Sequence, residues 1–318
     1  MAPMADSPAR VPWRNLFIGW IVLLLAAAIY ANLKHIQLGL ALPVALAFAV
    51  ELPFYVMAGN PPDWLRKPAI LAGTAVLPYL VYSIPSGLFQ LQSAALLTLI
   101  AVLIAFWYRL LPRHAVWDLL FIALLAAIQI TKIFDRIYLT AIPKVELSTL
   151  GHVMMIRTAA IAVIAMRGVT GAQYIFFPKR DEWLAGLKWF GLMLPPVLLA
   201  LWATGMWTPR DQPKYWVLVP QFFGILWVVA LSEEFFFRGM LQNWMEGWTG
   251  NAIGGLIVTS LTFGSAHLFK GQFPNWHYAT VAAVFGLFCG LAWREKRSVP
   301  ASMVTHALGA TLYRVFFQ

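Results

Sequence analysis

The sequence predicts an all-α, polytopic integral membrane protein with about eleven transmembrane helices. Of its 318 residues, 61% are hydrophobic and only 11% are charged, whereas a soluble domain carries about 25% charged residues. The apolar residues form long runs, and the 15 Trp and 10 Tyr fit the aromatic belts found at membrane–water interfaces. Together, these observations exclude an ordinary soluble protein.

Eleven apolar runs have the length of a membrane-spanning helix, which needs roughly 17–25 such residues. Prolines inside the runs, such as Pro43, Pro53 and Pro195, are compatible with helices because neighbouring helices satisfy the freed backbone groups. No long linker or repeat separates the runs, so we expect no soluble domain. The runs lie near residues 14–32, 37–58, 69–88, 93–111, 115–133, 150–167, 185–207, 216–245, 251–269, 278–293 and 299–317.

The net charge of +10 comes from short basic loops, so membrane topology explains it better than nucleic-acid binding. The positive-inside rule places the N-terminus in the cytoplasm, and the compact loops favour a bacterial inner (plasma) membrane. The polar start of the chain, residues 1–13, precedes a run without a small-residue cleavage site, so we expect a retained helix. The more basic side carries Arg10, Arg14, Arg66, Lys67, Arg109, Arg113, Arg167, Lys179, Arg180, Lys188, Arg294, Lys296 and Arg297; the other carries Lys34, Lys132, Arg136, Lys144, Arg210, Lys214 and Lys270.

Two regions are expected, with N-terminal transmembrane helices of unknown role over 1–184 and a core over 185–318. In the first region, Glu51 and Arg157 lie inside apolar runs. We interpret them as a structural pair or as side chains that reach an interface. The single cysteine, Cys289, excludes an intramolecular disulfide and a cysteine metal cluster.

The stretch Leu231-Ser232-Glu233-Glu234-Phe235-Phe236-Phe237-Arg238 places three ionisable groups inside an apolar run, where they are costly and usually functional. Glu234 and Arg238 are four residues apart, which is the favourable order for an ion pair on one helix face. Glu233 points about 100° away and lacks that partner. As a desolvated acid beside a like charge, it suits the role of general base.

A helical hairpin provides Glu233 with a partner. A turn is predicted at Gly247-Trp248-Thr249-Gly250-Asn251; Glu233 lies 15 residues before Trp248, and His267 lies 16 after Asn251. With a rise of about 1.5 Å per residue, the two side chains are level in an antiparallel hairpin. Phe263 and Ser260 share the face of His267 and are expected to line the site.

The last helix carries His306, with Ala310 one turn later. Gly286 and Gly290 form a small-xxx-small pattern that allows close helix packing. We therefore expect the last four helices to form a tight core around Glu233, Glu234, His267 and His306.

These motifs resemble those of the CAAX-protease and bacteriocin-processing (CPBP) family, the Rce1-like, Abi-type intramembrane proteases. The resemblance covers roughly 185–318 and rests on Glu233-Glu234-x-x-x-Arg238, Phe263-x-x-x-His267 and His306. It implies a glutamate-dependent peptidase core in which Glu233 and His267 activate water and His306 donates to the oxyanion. Family members usually carry Asn four residues after the last histidine; here the residue is Ala310, which has no donor.

We expect an intramembrane peptidase without a cofactor that acts on a membrane-embedded or membrane-associated protein or peptide. The oligomeric state stays open. Three alternatives use the same residues. Two His and two Glu could bind zinc and make a metallopeptidase; the motif could lock helices in a non-catalytic immunity or binding protein; or the carboxylates and His267 could relay protons in a carrier, although we detect no inverted repeat.

Overall fold

The computed structural model describes residues 13–317 apart from 141, 143, 144, 170 and 173. The described residues form helices and connecting loops without strands, which confirms the predicted all-α class. Arg10 and Lys144, two of the residues used for the orientation, lie outside the described residues. The helices are α1 (Trp13–Leu33), α2 (Leu38–Met57), α3 (Pro68–Ser83), α4 (Leu91–Leu110), α5 (Ala115–Ile130), α6 (Ile133–Ile137), α7 (Ser148–Arg167), α8 (Arg180–Ala203), α9 (Tyr215–Thr249), α10 (Ala252–Phe269), α11 (Trp276–Lys296) and α12 (Val299–Phe316).

Each of the eleven predicted runs corresponds to one of these helices, and only the five-residue α6 was not expected. Among the described residues, eight helices are long and apolar enough to cross a membrane. The helices α3 and α5 are apolar but have 16 residues each. The helix α12 is long enough but contains buried polar residues, among them Ser302, Thr305 and His306. A count of eleven crossings therefore stays a prediction.

The chain forms two compact units, residues 1–169 and 170–318. The predicted boundary between the two regions lies between residues 184 and 185. That position is inside α8, which begins at Arg180, so the units divide earlier, in the segment that joins α7 to α8. The assignment of separate roles to the two regions stays a prediction.

In the first unit, Glu51 of α2 and Arg157 of α7 form a buried ion pair. Arg157 donates to Glu51 through Nε (2.7 Å to Oε1) and Nη2 (3.3 Å to Oε2), and its Nη1 donates to Thr74 Oγ1 at 3.1 Å. Glu51 is 1% exposed and Arg157 is fully buried. Buried charges persist when they are paired and hydrogen-bonded, and this pair links α2, α3 and α7.

In the second unit, glycines let the helices around α11 approach closely. A Cβ on Gly264 of α10 would lie 2.6 Å from the carbonyl oxygen of Ala279 on α11. The predicted small-xxx-small pair belongs to the same interface: Gly290 faces Leu256, and Gly286 faces Phe263 and Arg238. Gly286 therefore brings the backbone of α11 to within reach of the Arg238 side chain on α9.

Ion pairs and hydrogen bonds join helix ends on one side of the second unit. Lys188 of α8 lies 2.6 Å from Glu295 of α11. Arg297, after α11, lies 2.6 Å from Glu246 of α9. Glu182 caps α8 through the backbone N–H of Lys179 and accepts a hydrogen bond from Ser298, which precedes α12. These contacts hold the four helices in register at the end remote from His267.

We expect Arg157→Leu to lower the free energy of unfolding in detergent by about 3–5 kcal/mol, because it leaves Glu51 charged, buried and unpaired. The double variant Glu51→Leu with Arg157→Leu should recover most of that loss, since neither charge remains. Asp63→Ala is the matched control: its carboxylate is 97% exposed and 3.6 Å from Arg66, and exposed pairs contribute less than about 1 kcal/mol. Equal stability of Arg157→Leu and the wild type would contradict a stabilising role for the pair.

Candidate active site

The helix α9 carries the Glu233-Glu234 motif and changes its winding around it. Residues Ile225–Ala230 and Phe235–Gln242 form π-helix, and Leu231–Glu234 between them form α-helix. Short π segments inside α-helices are frequent at functional sites. The sequence predicts a regular α-helix near residues 216–245, because residue periodicity does not reveal a local change from i+4 to i+5 hydrogen bonds.

Glu234 is fully buried and accepts three hydrogen bonds. Arg238 Nη1 lies 3.1 Å from Oε1, which is the predicted ion pair on one face of α9. His306 Nδ1 lies 2.6 Å from the same oxygen, and Ser302 Oγ donates to Oε2 at 2.6 Å. Arg238 is held in turn by the carbonyl of Gly286, 2.6 Å from Nη2. Glu234 therefore joins α9 to α12 and, through Arg238, to α11.

His306 lies between the two glutamates. Its Nδ1 faces Glu234, while its Nε2 lies 3.9 Å from Glu233 Oε2. Because a carboxylate that already accepts from Arg238 and Ser302 acts as an acceptor, the hydrogen between Glu234 and His306 belongs on Nδ1. The side chain of Glu233 is 35% exposed, and the described residues place no lysine or arginine within 4 Å of it and no donor within hydrogen-bond distance.

His267 lies at the end of α10, where the α-helix tightens into a 3₁₀ turn. Its Nδ1 is 2.8 Å from the carbonyl oxygen of Phe263. A carbonyl can only accept, so Nδ1 carries the hydrogen, and Nε2 of the neutral ring is left as an acceptor. Tyr278 of α11 stacks on the ring with centroids 5.6 Å apart and an interplanar angle of 13°. These two contacts fix both the tautomer and the plane of His267.

One cavity of about 140 Å³ joins the predicted residues of the site. This volume is enough for several water molecules, and polar groups are present to bind them. The predicted residues Glu233, Phe263, His267, His306 and Ala310 line it. The structure therefore brings Glu233 and both histidines to one space. Further polar residues of the wall are Lys270, Tyr278, Tyr313 and Arg314.

Three predicted site residues do not line this cavity. Glu234 and Arg238 are fully buried and contact residues of its wall: Glu234 binds His306, and Arg238 lies over the ring of Phe263. Ser260 is buried and donates to the carbonyl of Leu256 on its own helix at 2.8 Å. Ser260 was predicted to line the site because it lies two turns before His267 on the same helix face, but this spacing does not bring it to the cavity.

Sequence reasoning missed Ser302, Tyr278 and the Gly286 carbonyl. Ser302 had a usable signal, because it precedes His306 by four residues and so shares its helix face. Tyr278 could not be assigned without knowing how the loop between α10 and α11 returns. The Gly286 carbonyl is a backbone group, so no side-chain motif marks it.

Possible metal ligands also meet here. Donor atoms of Glu234, Cys289 and His306 lie within 4.8 Å of one another. Carboxylate, thiolate and imidazole are all zinc ligands. The set differs from the two His and two Glu suggested by the sequence, because Cys289 takes part and His267 does not. Both Glu234 oxygens already accept hydrogen bonds, and the Arg238 guanidinium repels a cation, so the residues present fit a metal poorly.

The segment that contains this site matches a family model. Residues 215–312 match the family model described as Type II CAAX prenyl endopeptidase Rce1-like. Comparisons with curated proteins and with solved structures gave no match. The matched segment begins with α9, includes Glu233, Glu234, Arg238, Phe263, His267 and His306, and ends within α12. It is shorter than the predicted range of 185–318 because it omits α8. Residues 215–312 are therefore similar to the Rce1-like endopeptidases of the CPBP family, whose members are proteases.

Proposed function

We propose that this protein is a glutamic intramembrane endopeptidase, in which Glu233 and His267 activate a water molecule. The observation that carries the proposal is the shared cavity: Glu233, which among the described residues has no lysine or arginine within 4 Å, lines the same space as His267 and His306. A general base needs an acceptor oxygen that faces the substrate and is not neutralised by a counter-ion. Among the acids of the motif, Glu233 meets this condition and Glu234 does not.

The proposed reaction begins with a water held between Glu233 and Nε2 of His267. His267 suits this role because its Nδ1–H is bound to Phe263, which leaves Nε2 as an acceptor. As the water oxygen attacks the peptide carbonyl carbon, its proton passes to Glu233. The carbonyl π electrons move to the oxygen and form a tetrahedral oxyanion. Glu233 then returns the proton to the leaving amine nitrogen as the C–N bond breaks.

His306 is the proposed donor to the oxyanion. Its Nδ1–H is bound to Glu234, so donation from Nε2 requires the doubly protonated, cationic ring. The buried Glu234 carboxylate stabilises that cation, as the buried aspartate of a serine-protease triad does. Glu234 and Arg238 are thus assigned to the support of His306 and do not contact substrate. Preorganised donors of this kind contribute about 2.7–4 kcal/mol each to the transition state.

The proposed substrate is a membrane-embedded or membrane-associated peptide or protein, as the family description implies. An apolar groove of about 320 Å³ on the same unit supports a lipophilic substrate, because its wall contains no charged side chain. The wall consists of Phe190, Leu218, Val219, Phe222, Phe223, Leu308, Thr311, Leu312 and Phe316. The surrounding bilayer is taken to be a bacterial inner membrane because the loops are compact, and the N-terminus is placed in the cytoplasm on the basis of the basic loops.

We expect Glu233→Gln to reduce kcat by about 10²–10⁴-fold, the usual contribution of a general base, with little effect on folding. The measurement is cleavage of a panel of fluorogenic, lipidated peptides by the purified protein in liposomes. Glu295→Gln is the control, because it also neutralises a carboxylate of the unit but one that pairs with Lys188 outside the cavity. Full activity of Glu233→Gln would instead favour a motif that only locks helices together.

The second candidate is a metallopeptidase, favoured by the cluster of Glu234, Cys289 and His306. We propose a mechanism without a metal, and expect activity to survive a strong chelator and Cys289→Ala. Peptide cleavage and metal content of the purified protein are measured together. Loss of activity in chelator, followed by recovery on addition of zinc alone, would overturn the metal-free mechanism.

Ala310 lines the cavity on the helix of His306, four residues further along. We expect Ala310→Asn to raise kcat about tenfold or more, because an amide N–H₂ at this position adds a donor for the oxyanion. Ala310→Leu is the control for a change in volume without a donor. A lower kcat for Ala310→Asn, with KM and thermal stability unchanged, would argue that this wall does not face the oxyanion.

A further inference from the structure

Ser302 is a buried residue whose role the mechanism above leaves open. It lies on α12 one turn before His306 and is fully buried. Its hydroxyl is 2.6 Å from Glu234 Oε2, whereas the carbonyl of Val299, its other acceptor, is farther away at 3.3 Å. Within the part of the chain that the structure describes, Ser302 is the residue that donates to Oε2; Arg238 and His306 both bind Oε1.

We propose that Ser302 is a positioning residue that acts through Glu234 to fix the tautomer and orientation of His306. The inference rests on the proposed function for its consequence in catalysis, but its structural content concerns the three side chains alone. No atom of Ser302 needs to contact the substrate.

The hydrogen bonds to Glu234 determine whether its carboxylate can rotate. With Arg238 on one oxygen and Ser302 on the other, the plane of the carboxylate is fixed, and Oε1 stays directed at His306 Nδ1. The imidazole then keeps its hydrogen on Nδ1 and presents Nε2 to Glu233 at 3.9 Å. If Ser302 no longer donates, Oε2 is a buried charged acceptor without a partner, which is strongly unfavourable. The carboxylate regains a donor only if it rotates or admits water, and either change releases the imidazole.

The packing around Ser302 leaves no easy backbone adjustment. The helices α9 and α12 approach closely beside it, since a Cβ on Gly239 would lie 3.2 Å from Val299 Cγ2. Arg238 is also fixed, by the backbone of Gly286. A lost hydroxyl is therefore not replaced by a small shift of α12, and the effect passes to Glu234 and His306.

The test compares Ser302→Ala with Thr305→Val. Thr305 is also a fully buried hydroxyl residue of α12, but it donates to the carbonyl of Gly186 at 3.0 Å and does not bind Glu234. With peptide cleavage in liposomes as the assay, we expect Ser302→Ala to lower kcat about 10- to 100-fold, the loss of one hydrogen bond to a charged group. KM should change less than about twofold, because the ground state of the substrate is not contacted. Thr305→Val should keep the wild-type kcat.

A second measurement does not depend on peptidase activity. Solid-state ¹⁵N NMR of histidine-labelled protein, recorded at a pH high enough for the ring to be neutral, reports which ring nitrogen of His306 carries hydrogen. We expect hydrogen on Nδ1 in the wild type and in Thr305→Val, and a mixture of tautomers in Ser302→Ala. If the wild type cleaves no peptide, the proposed function fails while this comparison still decides the role of Ser302.

Wild-type kcat together with unchanged His306 signals in Ser302→Ala would overturn the proposal. If Ser302→Ala does not fold, Ser302→Cys retains the size of the side chain and a weaker donor. The expected result for Ser302→Cys is then an intermediate kcat and a partial change of tautomer. Wild-type values for both quantities in that variant would also overturn the proposal.

Discussion

The buried carboxylate of Glu234 is the group on which the rest of the site depends. A charge at this depth is tolerated only when its hydrogen-bonding capacity is satisfied, and three side chains satisfy it: Arg238, Ser302 and His306. These donors come from α9 and α12, and Arg238 is tied to the backbone of α11. The requirement to satisfy one anion therefore determines how these helices pack, and with them the position of the imidazole that faces the cavity.

Two buried arginines, Arg157 and Arg238, each pair with a buried glutamate, one pair in each unit. Arg157 places three of its nitrogens on Glu51 and Thr74. Arg238 binds Glu234, Glu234 binds His306, and His306 lines the cavity that Glu233 also lines. The two networks differ in their access to the cavity. Glu51 and Arg157 are both buried, whereas the Glu234 network reaches Glu233, whose side chain is 35% exposed.

The sequence predicted the membrane class, the eleven apolar helices and the ion pair of Glu234 with Arg238, because each follows from local composition or from a spacing of four residues. It also selected Glu233, His267 and His306, which the structure places around one cavity. Ser260 is absent from the wall of this cavity and donates to the carbonyl of Leu256, so its role in the site stays a prediction. The contacts of Glu234 with Ser302 and His306 were not predicted, because they join α9 to α12.

What the sequence determined by itself was the identity of the ionisable groups and the apolar setting that makes them costly. Helical periodicity is enough for that, because it relates residues within one helix. Only the tertiary structure decided which nitrogen of each histidine faces the cavity, that Ser302 completes the Glu234 network, and that α9 winds as π-helix on both sides of the glutamates. These features depend on contacts between helices that are distant in the chain, or on backbone geometry that side-chain identity does not encode.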